Sequence, residues 1–279
     1  MNFHGKNLLL WVIIFCIAPV YGKASSTLLM REDANASESN IDEKFKIKLY
    51  TFFTPSHEEL KNDYFLPSLQ DVGLEIIVQE CPQECPSALV FSEGWQKSML
   101  RKVDMIIQAI YDNWGSIFIY ADIDTQYFGP ISDIIRKEIS NKDMVIQRDT
   151  PSGTMCAGFL ACRANSRTLK LWQAVRNYMI NSHSPSDQKT LNKLLRHNKN
   201  NEFNMRWDYL PSEQFCGGGT FSASPWRPGK SLHIPLTLLM HHANWTTGTV
   251  NKIEQLKYVR EIIKKGIKKE SGKSSSKRR

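Results

Sequence analysis

The chain has 279 residues, 41% of them hydrophobic, enough for one well-buried core or at most two small lobes sharing an interface. Its formal charge of +8 would suit a polyanion-binding surface if it were spread over the fold. It is not spread: the eight basic residues at 264–279, opposed there only by Glu270, carry +7, and Lys6 supplies the rest, so the body is near neutral and no nucleic-acid partner is expected.

In chain order, Lys6 precedes an apolar run at 8–20 and the small residues Gly22 and Ala24, the pattern of a secretory signal over residues 1–22. The run is shorter than the roughly 20 residues of a bilayer-spanning helix, which favours cleavage, with membrane association through an uncleaved signal anchor as the alternative. Either way the chain is directed to the secretory pathway, in the ER or Golgi lumen, or to export. There the sequons Asn35-Ala-Ser37 and Asn244-Trp-Thr246 are candidates for N-glycosylation. With Cys16 inside the signal, Cys81, Cys85, Cys156, Cys162 and Cys216 remain. An odd set is no disulfide framework, one or two bridges are the ceiling, and Cys81 and Cys85 lack the second pair of a zinc site.

Residues 23–44 are polar and read as a linker. The stretch 45–53 alternates and then turns apolar, which predicts a first strand; 74–78 predicts a second. Met99, Val103, Ile106, Ile107 and Ile110 recur at helical spacing, so a helix is expected over 95–110, ended by Asn113-Trp-Gly115. Residues 116–121 form a continuous apolar run, the pattern of a strand buried on both faces of a parallel sheet. Further strands are expected at 144–146 and 157–161, and helices at 167–180, 187–196 and 252–265. The Pro- and Gly-rich stretch beyond Trp207 has no readable period. Strand, helix, strand recurs, so the fold class is α/β. The Ser-rich basic tail at 266–279 is expected to be disordered.

Asp122-Ile-Asp124 closes the most apolar strand. Residues two apart on a strand share a face, so both carboxylates reach one site at the carboxyl edge of the sheet, where open α/β proteins bind ligands. Side by side they repel one another unless a cation joins them. Hard oxygen ligands select Mn²⁺ or Mg²⁺, ions that also bind diphosphate oxygens and stabilise the charge building on a diphosphate leaving group. Paired carboxylates also serve exported metal-dependent hydrolases of the phosphodiesterase kind, and ion sites in non-catalytic secreted binding modules. The pair alone leaves all three readings open.

Four stretches, in order, narrow the choice: the basic helix with Arg101 and Lys102, the strand 118–124 with its acidic pair, the block 156–165 with Asp187-Gln188, and His242-Ala-Asn-Trp-Thr-Thr-Gly248 with Lys252. Together they resemble the nucleotide-diphospho-sugar transferase family, the group related to plant rhamnogalacturonan xylosyltransferases and extensin arabinosyltransferases, over about residues 45–265. The resemblance implies a single catalytic domain at 45–265 with a GT-A-like, Rossmann-type mixed sheet flanked by helices. It also implies a glycosyltransferase with a nucleotide-sugar donor, a glycan or glycoprotein acceptor and retention of anomeric configuration. Position by position, it implies Asp122, Asp124 and His242 on Mn²⁺ or Mg²⁺, Asp187 and Gln188 as catalytic residues near the reacting sugar, and Lys102, Asp122, Gly158 and Lys252 at the donor.

Each of these residues has a plain structural alternative. Lys102 at a helix edge can snorkel to solvent, Ser186-Asp187 reads as a helix start, and Gly158 as a strand bulge. Lys252 can decorate the last helix, and His241 competes with His242 for the ligand role. Gly217-Gly-Gly219 lacks the Lys-Ser/Thr of a phosphate loop and is expected to be a mobile segment near the acceptor.

Overall fold

In the computed structural model, which describes residues 46–87, 89–196 and 201–276, the first predicted strand forms as β1 (Ile47–Phe53). It pairs in parallel with β2 (Leu74–Glu80) on one side and with β3 (Ile117–Ala121) on the other. The signal pattern, the linker and the Asn35 sequon lie outside the described residues. β6 (Met155–Arg163) runs antiparallel to both β3 and β5 (Met144–Arg148), and β7 (Trp207–Tyr209) adds in parallel to β5. The result is a six-stranded mixed sheet in the order β2-β1-β3-β6-β5-β7. β3 is buried on both faces as its composition demanded, but one of its neighbours is antiparallel, where the apolar run had suggested a parallel sheet.

Alternation along the strands divides the interior into two cores. Phe118 and Tyr120 of β3 and Leu160 and Cys162 of β6 face α1 (Trp95–Asp112) and α3 (Ser166–Asn181), around the fully buried Trp172. Ile119, Ala121, Phe159 and Ala161 point the other way, where α2 (Ser132–Glu138) contributes Ile135. Of the periodic residues of α1, Val103, Ile106 and Ile110 are fully buried, Met99 is nearly so and Ile107 is partly buried against the same core, so the stripe read from sequence is the surface that holds α1 on the sheet. Each such side chain contributes about 1.5–3 kcal/mol by leaving water. α3 starts on a reciprocal cap: the Asn165 side chain accepts from the Arg167 and Thr168 N–H groups, and the Thr168 hydroxyl receives the Asn165 N–H.

A second, three-stranded sheet in the order β4-β9-β8 lies at the carboxyl end of β3. It consists of β4 (Thr125–Tyr127), β8 (Phe215–Gly217) and β9 (Met240–His242). Strands of three residues are too short to display a period of two, which is why the chain beyond Trp207 carried no legible pattern. The predicted helix at 187–196 is split into α4 (Asp187–Leu191) and a wider turn, Asn192–Arg196. The last helix, α5 (Thr249–Ser276), starts three residues earlier than expected. Its buried stripe is Ile253, Leu256, Val259 and Ile263, and its backbone stays helical past 265 into the tail that was expected to be disordered.

The glycine run expected to be mobile is buried instead. Gly217 belongs to β8, and a Cβ on Gly219 would overlap the Trp245 indole, so this segment is a packed floor under the chain that follows β9. Cys81, Cys85, Cys156, Cys162 and Cys216 are all free thiols. Among the described residues no helix is long and apolar enough to cross a membrane.

Candidate active site

The chain leaves β3 at Ala121 and turns through Asp122-Ile-Asp124 into β4, so the two acids stand on a turn and not on the strand. Ile123 is drawn into the core beneath, and the Thr125 hydroxyl donates to the Asp122 carbonyl at 3.0 Å. This turn, not strand alternation, brings both carboxylates to one place. The β4–β9 pairing then sets Thr125 opposite His242. His242 Nε2 lies 3.2 Å from Asp124 Oδ1 and 3.9 Å from Asp122 Oδ2. One ligand atom from each of Asp122, Asp124 and His242 falls within 4.8 Å of the others. A Cβ on Gly158 would overlap the His242 ring and stand 2.6 Å from Asp122 Oδ2, so only glycine leaves this space open. The bulge reading holds too: the β5–β6 register jumps here, from Ile146 opposite Leu160 to Gln147 opposite Cys156.

The lysines are committed to the same acids. Lys102 on α1 does not snorkel; it is 3% exposed, with Nζ 3.0 Å from Asp122 Oδ1 and 3.1 Å from Asp187 Oδ2. Burial opposes its charge, but the two carboxylates outweigh burial and hold it protonated. Lys252 on α5 lies 2.5 Å from Asp124 Oδ2. Burial also opposes the charge of Asp124, yet Lys252 and His242 hold its pKa well below the ordinary carboxylate value. His242 is shifted well upward, because the field of Asp124 exceeds the effect of burial. The Tyr120 hydroxyl donates to Asp122 Oδ1 at 2.8 Å.

β9 separates the tandem histidines to opposite faces. His241 is buried away from the acids, 3.1 Å from Gln255 Oε1, and burial lowers its pKa to about 4, so it stays neutral. His242 Nδ1 lies 3.1 Å from the side-chain amide oxygen Oε1 of Gln147, which leaves Nε2 as the nitrogen turned to Asp122 and Asp124.

Asp187 and Gln188 open α4, capped by the Ser186 hydroxyl, which accepts from the Lys189 N–H at 3.2 Å. They are a helix start and a site wall at once. Gln188 accepts from the Ala157 N–H at 3.2 Å and donates to Asp149 Oδ2 at 3.1 Å. Asp149 went unnoticed in the sequence. It follows β5, which runs parallel to β3, so it occupies the same carboxyl edge as Asp122, and the rule that singled out Asp122 would have found it. His57, hydrogen-bonded to Thr54 at 3.0 Å, was missed as well. Asn244, one of the sequons, turns its amide into the site and donates to Asp149 Oδ1 at 2.9 Å.

These groups surround a cavity of about 610 Å³. Phe52, Val90, Phe91, Trp95 and Met99 make its apolar wall, opposite in character to the end that holds the acids and lysines. Two carboxylates and an imidazole nitrogen, with the Gly158 space beside them, form a donor set that fits a divalent cation.

The sequence model of the family described as nucleotide-diphospho-sugar transferase matches residues 87–256, more than half of the chain. No curated protein matches. Among solved structures, the chain is similar to a glycosyltransferase involved in the glycosylation of the major capsid of PBCV-1. The TM-score is 0.51 at 13% identity, with 77% of this chain and 99% of that one covered. The glycosyltransferase GlyE of Streptococcus pneumoniae TIGR4 also aligns, at TM-score 0.42 and 14% identity, over 60% of this chain and 46% of that one. At such identities the first likeness speaks for the fold alone, and it bears out the GT-A-like mixed sheet flanked by helices. Nothing in these matches singles out the plant branch of the family. On the extent of the family match, the chain belongs to the nucleotide-diphospho-sugar transferase family and is a glycosyltransferase.

Proposed function

We propose that the chain moves a sugar from a nucleoside diphosphate sugar to a hydroxyl of a glycan or glycoprotein, using Mn²⁺ or Mg²⁺ held by Asp122, Asp124 and His242. The observation that carries this reading is the convergence of those three side chains beside Gly158 at one end of the cavity. Bound there, the cation supplies positive charge against the charge that builds on the diphosphate as the sugar–phosphate bond breaks.

The chain's own groups have separate tasks. Lys252, part-exposed beside Asp124, answers a diphosphate oxygen as a point charge. Lys102, locked between Asp122 and Asp187, holds both carboxylates in place. Asp187 and Gln188 line the cavity and orient the reacting sugar, with retention of configuration part of the proposal on the family resemblance. The signal pattern at the N-terminus supports action in the secretory pathway.

The test is a thermal-shift screen of nucleotide sugars with and without Mn²⁺, followed by turnover of whichever binds. Asp124→Ala is expected to lose both the metal-linked stabilisation and the transfer. Undiminished metal-dependent donor hydrolysis or transfer in that variant would sink the reading.

A further inference from the structure

Beside the metal trio, the cavity has a second built corner. Asp149 is 6% exposed and lines the cavity. Its carboxylate receives three uncharged donors: Trp245 Nε1 at 3.0 Å and Asn244 Nδ2 at 2.9 Å on Oδ1, and Gln188 Nε2 at 3.1 Å on Oδ2. The Cys156 thiol, a weaker donor, also meets this carboxylate, so it is fixed in orientation, and a ligand hydroxyl would compete with that thiol alone for the last of its about four lone-pair sites.

Trp245 is held with equal care. Its backbone lies in the left-handed region at φ 54°, a conformation a bulky residue keeps only where its surroundings over-determine it. Its carbonyl accepts the Trp226 N–H at 2.6 Å, its indole N–H is fixed by Asp149, and Gly219 lacks the Cβ that would overlap the ring. The surrounding chain pins this part-exposed indole along the cavity wall.

The ligand class follows from charge and shape. Lys102 and Lys252 stand at the metal trio, so a diphosphate belongs there, and Asp149 would repel it. What remains for Asp149 is an uncharged, hydroxyl-bearing part of a ligand. A strong acceptor beside a flat apolar indole matches a sugar ring, which presents O–H groups at its rim and C–H groups on its face. We infer that Asp149 and Trp245 form a sugar-ring subsite in which Asp149 accepts a ring hydroxyl and the Trp245 indole backs the ring. This rests on the glycosyltransferase reading above. The ring is that of the donor or that of the acceptor, and the two are separable by experiment.

Calorimetric titration of the full chain in Mn²⁺ with UDP and GDP, and with UDP-glucose, UDP-galactose, UDP-xylose, GDP-mannose and GDP-fucose, is the first arm; acceptor KM with the conjugate that turns over is the second. If the ring is the donor's, Asp149→Asn weakens the conjugate by about tenfold to a hundredfold, the range for a hydrogen bond to a charged group, and leaves the bare nucleotide unchanged. If it is the acceptor's, both nucleotide affinities hold and the acceptor KM rises by a similar factor. Trp245→Ala, which leaves the carboxylate in place, carries the same test should Asp149→Asn not fold. Equal weakening of nucleotide and conjugate, or no change in either affinity or in acceptor KM, overturns the subsite. A wild-type chain that binds none of these nucleotides overturns the donor reading instead.

Discussion

Lys252 Nζ stands 2.5 Å from Asp124 Oδ2, although 128 positions of chain separate the two residues. Asp124 is almost fully buried, and its charge is tolerated because Lys252 and His242 face it. Stripping one partner from a buried pair costs about 3–5 kcal/mol, and the partial exposure of Lys252 places Lys252→Met at the lower end, about 3 kcal/mol. Mn²⁺ is expected to return part of that loss by replacing the missing positive charge. Urea unfolding with and without the ion checks both; a variant as stable as the parent in the absence of metal contradicts the account.

Gly158→Ala puts a methyl group where the His242 ring and Asp122 Oδ2 already stand. The expected result is a folded protein whose unfolding midpoint no longer rises with Mn²⁺, together with a fall in turnover of about 100-fold, the upper range seen when groups around a metal are displaced. Retention of the Mn²⁺-linked shift would show that the space beside Gly158 is not used.

The two adjacent histidines are expected to part company on mutation. His242→Gln removes a proposed ligand and abolishes Mn²⁺-linked stabilisation. His241→Gln loses a buried contact to Gln255 and is destabilised by about 1–2 kcal/mol while keeping the Mn²⁺ response. Differential scanning calorimetry of both variants, with and without the ion, distinguishes them, and matching behaviour contradicts the assignment.

Acid stability depends on a group far from the cavity. Burial of Asp143 favours its neutral form, but Arg167, the Arg206 backbone N–H and Asn165 outweigh it and bring the pKa from 3.8 to about 2. A depressed carboxylate contributes stability above its unfolded pKa and loses it as pH falls through the folded one, so the window is about pH 4 down to about pH 2. With the part-exposed Arg167 screened by solvent, the contribution is at most about 2 kcal/mol. Asp143→Asn should flatten stability across that window. An unchanged acid limb in the variant counts against the ion pair.

Asn244 is a sequon residue whose amide already serves Asp149. In chain secreted from a eukaryotic host, peptide mapping of the active fraction is expected to find Asn244 unmodified, because a glycan on its amide nitrogen would displace that bond and fill the cavity. An active fraction glycosylated at Asn244 would refute the placement.

Much of the large sheet was legible because its elements are long enough to show a period. β1, α1 and α3 are long enough for their apolar residues to show a pattern, β3 is an unbroken apolar run buried on both faces, and the bounds of all four differ from the predicted ones by only a few residues. β4, β8 and β9 have three residues each and owe their existence to one another, not to local pattern. The same division runs through the site. The acidic pair could be read because its members are neighbours on the chain. The Lys102–Asp187 contact and the Asp149 cluster could not, since each joins residues that only the tertiary fold brings together. Asp187 shows why local reading stopped short: it starts a helix and faces Lys102, and only the first role leaves a mark in neighbouring residues.

The β4–β9 pairing also sets an order of events. Asp122 and Asp124 are made well before His242 and Lys252, so an emerging chain carries two adjacent acids with neither the His242 imidazole nor the Lys252 ammonium beside them. Contacts of such long range form late and slowly as a chain folds. Chains that stop short of β9 are expected to have the large sheet's first strands but no selective affinity for the ion, which makes Mn²⁺ response a reporter of completed folding as well as of a site.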